Sequence, residues 1–401
     1  VVEPLAFEEA RERPARSSLL PYFVPSISEG EIEEVTETLK SGWLTQGKKV
    51  AEFEETLKDL IGARDVIALN SCTSALYLAL NLCGLAPEDE MITTPFTFVS
   101  TVNVIIHNGL KPVFADIRRD TLNLDPEEVA RRVGPRTRGI LPVHFGGFPT
   151  DMDAIGALAR DRGLVVVEDA AHALGTEYKG RSIGASGDFV CFSFYPNKNI
   201  TTVEGGALTT ENRERAEEAR TRRIHGMTRS AWERAQSASW AYEVGYPGFK
   251  IHLTDLQASI GIVQLRRFRH LQQIRAGIAE FYRKSFESFP AVRLPGYPPP
   301  YPAQSSNHLF PILLDLERLK VGRDEFAERL RDLNIATSVH YFPVHLFRYY
   351  AGALGHERGD FPNAEQAFER ILSLPIYPAM RLSDAEDVAV AVARVLSETL
   401  R

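Results

Sequence analysis

The sequence is short of cysteine, of long apolar runs and of excess positive charge, and each shortage removes a class of protein. Cys72, Cys83 and Cys191 are the only cysteines in 401 residues. Three is an odd count, no C-x-x-C spacing occurs, and neither a disulfide framework nor a zinc site is implied, so no metal is expected. A reducing cytoplasm is the expected compartment. No apolar run approaches the roughly 20 residues needed to span a bilayer. The chain opens Val-Val-Glu-Pro-Leu, without the layout of a signal peptide and without an initiator Met, which points to a trimmed N-terminus. A net charge of −7 offers no basic field, so neither nucleic acid nor a membrane is an expected partner. No internal repeat or low-complexity segment is visible, and no G-x-G-x-x-G follows a strand pattern, so a dinucleotide fold lacks its phosphate turn.

What is present is the composition of a soluble globular protein, 25% charged and 44% hydrophobic, long enough for a large and a small domain. Apolar runs at 65–69, 91–95, 111–115, 139–143 and 164–167 read as strands, with helical patterns between them at 74–82, 126–132 and 151–162. That alternation predicts a mostly parallel sheet with helices on both faces. Residues 1–20 read as an extension or loosely docked arm, 21–290 as the large domain, and 291–401 as a smaller α+β domain beyond a Pro-rich stretch at 295–302. The large domain begins with a capping box, Ser28 with Glu31, before Ile32, Val35 and Leu39 at helical spacing. It closes with an amphipathic helix from Thr254 to about Phe289. The small domain is predicted to hold strands at 308–314 and 335–341, a helix at 322–332, and a last helix capped by Ser383 with Glu386.

The chemistry gathers in the stretch Asp188–Thr210. A buried apolar run at 189–194 is broken by Pro196-Asn197, and Lys198 follows at once, before a Thr-Thr turn and Gly205-Gly206. Lysine is seldom held between two buried strands. Desolvation there lowers its pKa and favours a neutral amine able to condense with an aldehyde. One strand earlier, Val165-Val166-Val167 ends in Glu168-Asp169-Ala170-Ala171-His172. Asp169 therefore stands at the carboxyl end of a strand, where open α/β sheets place their ligands. A carboxylate and a lysine on successive strands suit pyridoxal 5'-phosphate: the acid keeps the ring nitrogen protonated and the lysine carries the aldehyde. A structural ion pair is the competing reading of these two residues alone.

Three further segments have a functional and a bland reading. Small polar residues, Asn70-Ser71-Cys72-Thr73, open a helix and could seat a phosphate or simply cap it. Phe98 could cover a planar ring or pack in the core. Gly42-Trp43-Leu44-Thr45-Gln46-Gly47-Lys48-Lys49 nearly spells a nucleotide P-loop. It has Lys49 where Ser or Thr must hold magnesium, however, and it follows a helix. The arginine run from Arg215 to Arg229 reads as a solvated face.

Taken in order, these residues resemble the DegT/DnrJ/EryC1/StrS sugar-nucleotide aminotransferases over nearly the whole chain from about Tyr22. The motifs are Ser41-Gly42-Trp43-Leu44-Thr45-Gln46-Gly47, Ser71-Cys72-Thr73-Ser74, Thr94-Pro95-Phe96-Thr97-Phe98, Pro142-Val143-His144, Glu168-Asp169-Ala170-Ala171-His172, Ser193-Phe194-Tyr195-Pro196-Asn197-Lys198 and Glu204-Gly205-Gly206. The resemblance implies a type I aminotransferase fold, pyridoxal phosphate and a homodimer with composite active sites. By position it makes Lys198 the cofactor lysine and proton carrier, Asp169 the partner of the ring nitrogen, and His172 a neighbour of the ring and its 3-hydroxyl. Phe98 would cover the ring, and Ser193 with the N–H groups around Cys72 and Thr73 would hold the phosphate. Glu204 would order the lysine turn. Gly248-Phe249-Lys250-Ile251-His252-Leu253 departs from the commoner Gly-Tyr-Asn-Tyr-Arg-Met and is closer to a variant found in enzymes similar to the UDP-4-amino-4-deoxy-L-arabinose aminotransferase. Lys250 would then meet the partner's phosphate. The implied reaction is amination of a nucleotide-linked ketosugar, at C4, with glutamate as donor. Arg222, Arg223 and Arg229, with His340 and Tyr341, are the candidates for the sugar nucleotide. A 3-dehydratase of the same fold, whose relatives replace the lysine with histidine, and a non-catalytic sensor are the alternatives.

Overall fold

The computed structural model describes residues 4–237 and 240–401. Seven strands form the main sheet: β1 (Asp65–Leu69), β2 (Glu90–Thr93), β3 (Lys111–Phe114), β4 (Thr137–Leu141), β5 (Val165–Asp169), β6 (Phe189–Ser193) and β7 (Gly206–Thr210). Their order is β1-β7-β6-β5-β4-β2-β3. All neighbours run parallel except β7, which is antiparallel to both β1 and β6. Buried apolar side chains on both faces of these short runs explain why they read as near-continuous hydrophobic segments. Pairing of Asp169 with Cys191 across β5 and β6 brings the two functional strand ends side by side. The sheet is the mostly parallel one expected, with helices packed on it.

A second sheet joins β8 (Val292–Arg293), β9 (Phe310–Leu314) and β10 (Ile371–Leu374) in antiparallel order. Here the strand predicted at 335–341 does not form. That segment makes single bridges, Ile335 to Leu20 and Ser338 to Ser373, and then turns away to deliver His340 and Tyr341 elsewhere. The strand beside β9 is Ile371–Leu374 instead, a short Ile-Leu-Ser-Leu run before Pro375. The C-terminal helix also starts differently. It spans Leu382–Thr399, and its box is formed by Arg381 and Asp384, while Glu386 accepts from Arg13.

The long helix Asp255–Phe286 begins with the reciprocal Thr254–Gln257 cap and links the two sheets. Its last turns share one apolar cluster with Leu5, Ala10 and Leu20 and with the C-terminal helix. Residues 4–20, with helix α1 (Phe7–Glu12), are thereby packed on the second sheet's side. Leu5 N–H donates to Ser285 Oγ at 3.0 Å, and Arg16 pairs with Asp384 at 2.6 Å.

Helix α2 (Glu29–Lys40) has the Ser28–Glu31 box expected, yet it presents the opposite face. Glu31 and Thr38 are buried while Ile32 and Leu39 are 53% and 52% exposed. The reason is polar. Glu31 accepts from Gln264 and Arg267 of the long helix, each at 2.6 Å, and this turns the apolar edge outward. Helix α3 (Lys48–Ile61) follows the P-loop-like segment. Asp255 accepts from the N–H groups of Gly47, Lys49 and Val50 at 2.7, 3.2 and 3.0 Å. A side chain of the protein itself fills that helix start. No helix of the described residues is long and apolar enough to cross a membrane.

Candidate active site

The lysine turn joins β6 to β7. Phe194 N–H donates to Gly205 O at 2.9 Å and Thr202 N–H to Phe194 O at 3.0 Å, closing it as a hairpin, while Lys198 N–H turns back onto Tyr195 O at 2.9 Å. Asn199 Nδ2 reaches out to Ser306 O at 2.9 Å and Gln272 Oε1 at 3.0 Å. The carboxylate of Glu204 is exposed. It is the Glu204 carbonyl that orders the turn, accepting from Thr202 Oγ1 and Gln257 Nε2, each at 2.8 Å. Val203 sits at φ 68°, a left-handed conformation that costs a β-branched residue about 1–3 kcal/mol. The surrounding bonds hold it there.

Lys198 keeps partial contact with solvent, yet the protein strips enough water from it to push its amine down to about 8, against the pull of Cys72 and Asp169. Burial alone moves an amine in that direction. Asp169 is buried, and desolvation raises its carboxyl above the usual range even though Ala171 N–H and Thr101 Oγ1 donate to it at 3.0 and 2.8 Å. Both donors are neutral. A cation placed against this carboxylate would restore its full ionisation, which is what a protonated ring nitrogen supplies.

Helix α4 (Cys72–Leu82) starts beside β7. Ser71 Oγ accepts Ser74 N–H at 3.1 Å, whereas the N–H groups of Cys72 and Thr73 lie in the first turn, beyond the reach of any helical carbonyl. A Cβ at Gly206 would come within 2.4 Å of Cys72 N. Only glycine lets β7 pass so close to this helix start, and the result is a small cradle suited to an anion. The Cys72 thiol is buried and pushed up well above its ordinary value, with Sγ 3.6 Å from Cys191 O. It is a packing group.

His172 lies just past β5. Gly146 N–H donates to its Nδ1 at 3.2 Å, and its Nε2 meets the Tyr341 hydroxyl at 3.1 Å. The His308 ring packs on it at 4.4 Å. Its imidazole is held well below the usual value, by burial first and then by Lys198 and His340. His340, pushed down to about 4 by burial, bonds Ser373 Oγ at 2.9 Å and lies by the Tyr22 ring. So the failed strand at 335–341 carries two site residues to the lysine. Phe98, the residue before α5 (Val99–His107), is 58% exposed, with its ring 6.3 Å from Tyr341.

The arginine run divides. Arg223 is buried against Glu54 and Ala68 O, Arg220 pairs with Asp65 and Glu217, and Arg222 pairs with Glu218 and bonds Asn81. These three are structural, which corrects the solvated-face reading and removes Arg222 and Arg223 from the substrate candidates. Among the described residues, Arg229 bonds Ser237. Among the described residues Lys250 makes no side-chain ion pair. It is exposed, and its backbone bridges to Ile224. Sequence reasoning missed Thr101, Gly146, Ser306 and His308. The polar run Ser305-Ser306-Asn307-His308 just before an apolar strand was the one signal for the last two.

Two surface grooves of about 1050 and 850 Å³ are lined by none of Lys198, Asp169 and His172. Around the lysine the single chain leaves an open mouth, with Tyr195 49% and Val203 55% exposed. The residues present nonetheless fit pyridoxal phosphate: a lysine amine of lowered basicity, a buried carboxylate with only neutral donors, and a helix start whose Cys72 and Thr73 N–H groups are left for an anion.

Comparison with known proteins agrees. The chain is 48% identical to the Bacillus subtilis spore coat polysaccharide biosynthesis protein SpsC over 379 residues, 94% of this chain and 97% of that one. The PLP form of Streptococcus pneumoniae Spr1654 superposes with a TM-score of 0.88 at 31% identity, covering 96% of this chain and 100% of that one. Helicobacter pylori PseC, an aminotransferase involved in the biosynthesis of pseudoaminic acid, gives 0.86 at 29% identity, with 95% and 100% covered. The profile of the DegT/DnrJ/EryC1/StrS aminotransferase family matches residues 25–393. With a type I aminotransferase fold and a site for pyridoxal phosphate, this chain is a sugar aminotransferase and belongs to the DegT/DnrJ/EryC1/StrS family.

Proposed function

We propose that the protein aminates the keto carbon, at C4, of a nucleotide-diphosphate-linked deoxysugar, taking nitrogen from glutamate and working in the cytoplasm as a homodimer. The observation that carries the reading is the pair of adjacent strands that set Asp169 at the end of β5 and Lys198 in the turn after β6, with the lysine amine pushed down to about 8. An amine of that basicity can both bond an aldehyde and take or return a proton near neutral pH. When bound, the cofactor supplies the aldehyde and an electron-withdrawing ring. Lys198 holds it and moves the proton at the reacting carbon, and Asp169 holds the ring nitrogen charged. The N–H groups of Cys72 and Thr73 with Ser193 bind its phosphate, and Phe98 covers its face. Glutamate leaves as 2-oxoglutarate, and the sugar carbonyl becomes a C–H bearing the amine.

Two features support a dimer with shared sites. The mouth beside Lys198 is open in one chain, and Lys250 is an uncommitted cation suited to the partner's cofactor phosphate. Arg229, His340 and Tyr341 are assigned to the sugar nucleotide, whose diphosphate needs cations and donors. The names of SpsC and PseC speak of polysaccharide and of pseudoaminic acid, in keeping with a sugar acceptor. Three unpaired cysteines suit the cytoplasm.

The test is glutamate-dependent turnover over a panel of ketosugar nucleotides differing in base and in the 3- or 4-keto position. Turnover of 4-keto members is expected. Exclusive use of 3-keto sugars would move the position, loss of a hydroxyl without nitrogen transfer would indicate the dehydratase, and binding without turnover would indicate a sensor.

A further inference from the structure

The hydrogen-bond pattern around His172 decides which of its neighbours can donate into the cleft. A backbone N–H is always a donor. Because Gly146 N–H points at His172 Nδ1 from 3.2 Å, that nitrogen must be the acceptor and carries no proton. The ring proton of the neutral imidazole is then on Nε2, and it is donated to the Tyr341 oxygen 3.1 Å away. His144, in the layer behind, is fixed the same way: Thr150 N–H donates to its Nδ1 at 3.1 Å and its Nε2 faces Glu168 at 2.9 Å.

The turn that aims Gly146 depends on glycine, since Gly146 and Gly147 have φ of 62° and 94°. Ser306 Oγ donates to His172 O at 2.6 Å, and the His308 ring backs the imidazole. His172 is therefore held in one orientation and one tautomer. Protonating it would set an N–H against the Gly146 N–H. The charged and titratable groups facing His172 and Tyr341 are Lys198, Asp169, His308, His340 and Tyr22, and the imidazole is depressed by burial and by Lys198 and His340.

One consequence concerns Tyr341. Its oxygen already accepts from His172, its hydroxyl hydrogen makes no other bond among the described residues, and its ring lies beside Phe98 and Phe145. We infer that Tyr341 is the hydrogen-bond donor to the ring oxygen of bound pyridoxal phosphate, and that His172 is a positioning residue that acts through it. This rests on the site assignment above and revises it at two points: Tyr341 serves the cofactor and not the sugar nucleotide, and the imidazole N–H of His172 is spent on Tyr341 and does not itself reach the ring oxygen.

The experiment titrates the cofactor-free full chain with pyridoxal phosphate and reads affinity by protein fluorescence and the pH midpoint of the bound cofactor's visible band. A donor to the ring oxygen stabilises its deprotonated form, so losing that donor makes the bound cofactor keep its proton to higher pH. Tyr341→Phe is expected to weaken binding about five- to tenfold and to raise the midpoint by at least about half a unit. His172→Leu should do the same, and the double variant should be no worse than either single one. His172→Gln can accept from Gly146 and donate to Tyr341 with its amide, so it should retain the wild-type midpoint. If Tyr341→Phe leaves both readings unchanged while His172→Leu shifts them, His172 itself holds the ring oxygen and the inference is overturned. It is also overturned if neither variant moves the midpoint. A wild-type chain that binds the cofactor but yields no borohydride-trappable link at Lys198 would instead break the assignment of Lys198.

Discussion

Two loops that each present a lysine are built in opposite ways. The turn carrying Lys198 is tied from outside, by Gln257 and Gln272 of the long helix and by Ser306. The flap that leads to Lys250 is anchored at its base by Arg222, Arg223 and Phe249, but beyond that base its described residues are tied mainly to one another. His225 pairs with Phe249, Thr228 with Glu243 and Gly245 with Gly226 at 2.8–2.9 Å, and its tip meets the rest of the chain through Trp232 against Trp43. Trp240 is 85% exposed and Tyr242 and Tyr246 are over 40% exposed. A lysine that must bond a cofactor atom needs a backbone that cannot shift, and borrowed bonds provide it. A lysine that meets a second chain can leave its final position to that chain.

The sharpest break falls on the turn. Lys198→Ala should fold, lose at least about a thousandfold in turnover, and show no borohydride-trappable cofactor link. A reducible adduct at another lysine would end the assignment. Next comes the flap. If Lys250 meets the partner's cofactor phosphate as proposed, Lys250→Glu sets a carboxylate against it and should cost about a hundredfold in turnover through lost cofactor binding. Mixing this chain equally with the Lys198→Ala chain should restore about a quarter of wild-type activity, because one site of each mixed dimer collects both lesions and the other neither. No recovery despite proven subunit exchange would show that Lys250 serves its own chain. The smallest effect is at the strand end between them. Asp169→Asn removes a charge-assisted bond of roughly 1.5–3 kcal/mol and should lower turnover at least tenfold while leaving the melting temperature nearly unchanged. Turnover within a factor of two of wild type would count against the carboxylate's role.

Much of this could be read before any coordinates. β1, β5 and β6 are apolar runs bounded by breakers or by polar strand ends, so Asp169 and Lys198 declared themselves by position. Thr101, Gly146 and His308 did not, because each acts on a residue at least 26 positions away and none sits in a pattern of its own. The segment 335–341 misled because Ile335 and Val339 carry strand-like side chains, whereas its pairing needs were already met by Ile371–Leu374. The outward face of α2 misled for a different reason: Ile32 and Leu39 mark an apolar stripe, but the buried carboxylate of Glu31 outweighed it.

The Asp255 carboxylate at the start of α3 also bears on how this chain could change by descent or by engineering. Residues 42–49 stand one substitution from a nucleotide-binding motif, and Lys49→Thr would complete the spelling. Nothing would be gained. The amides that would cradle a phosphate already hold an internal anion, and that anion belongs to the first turn of the helix joining both sheets. A nucleotide would have to displace Asp255 and loosen that junction in the same act. The resemblance is therefore a dead end in sequence space: a motif spelled in letters whose chemical vacancy was filled from 205 to 208 residues away.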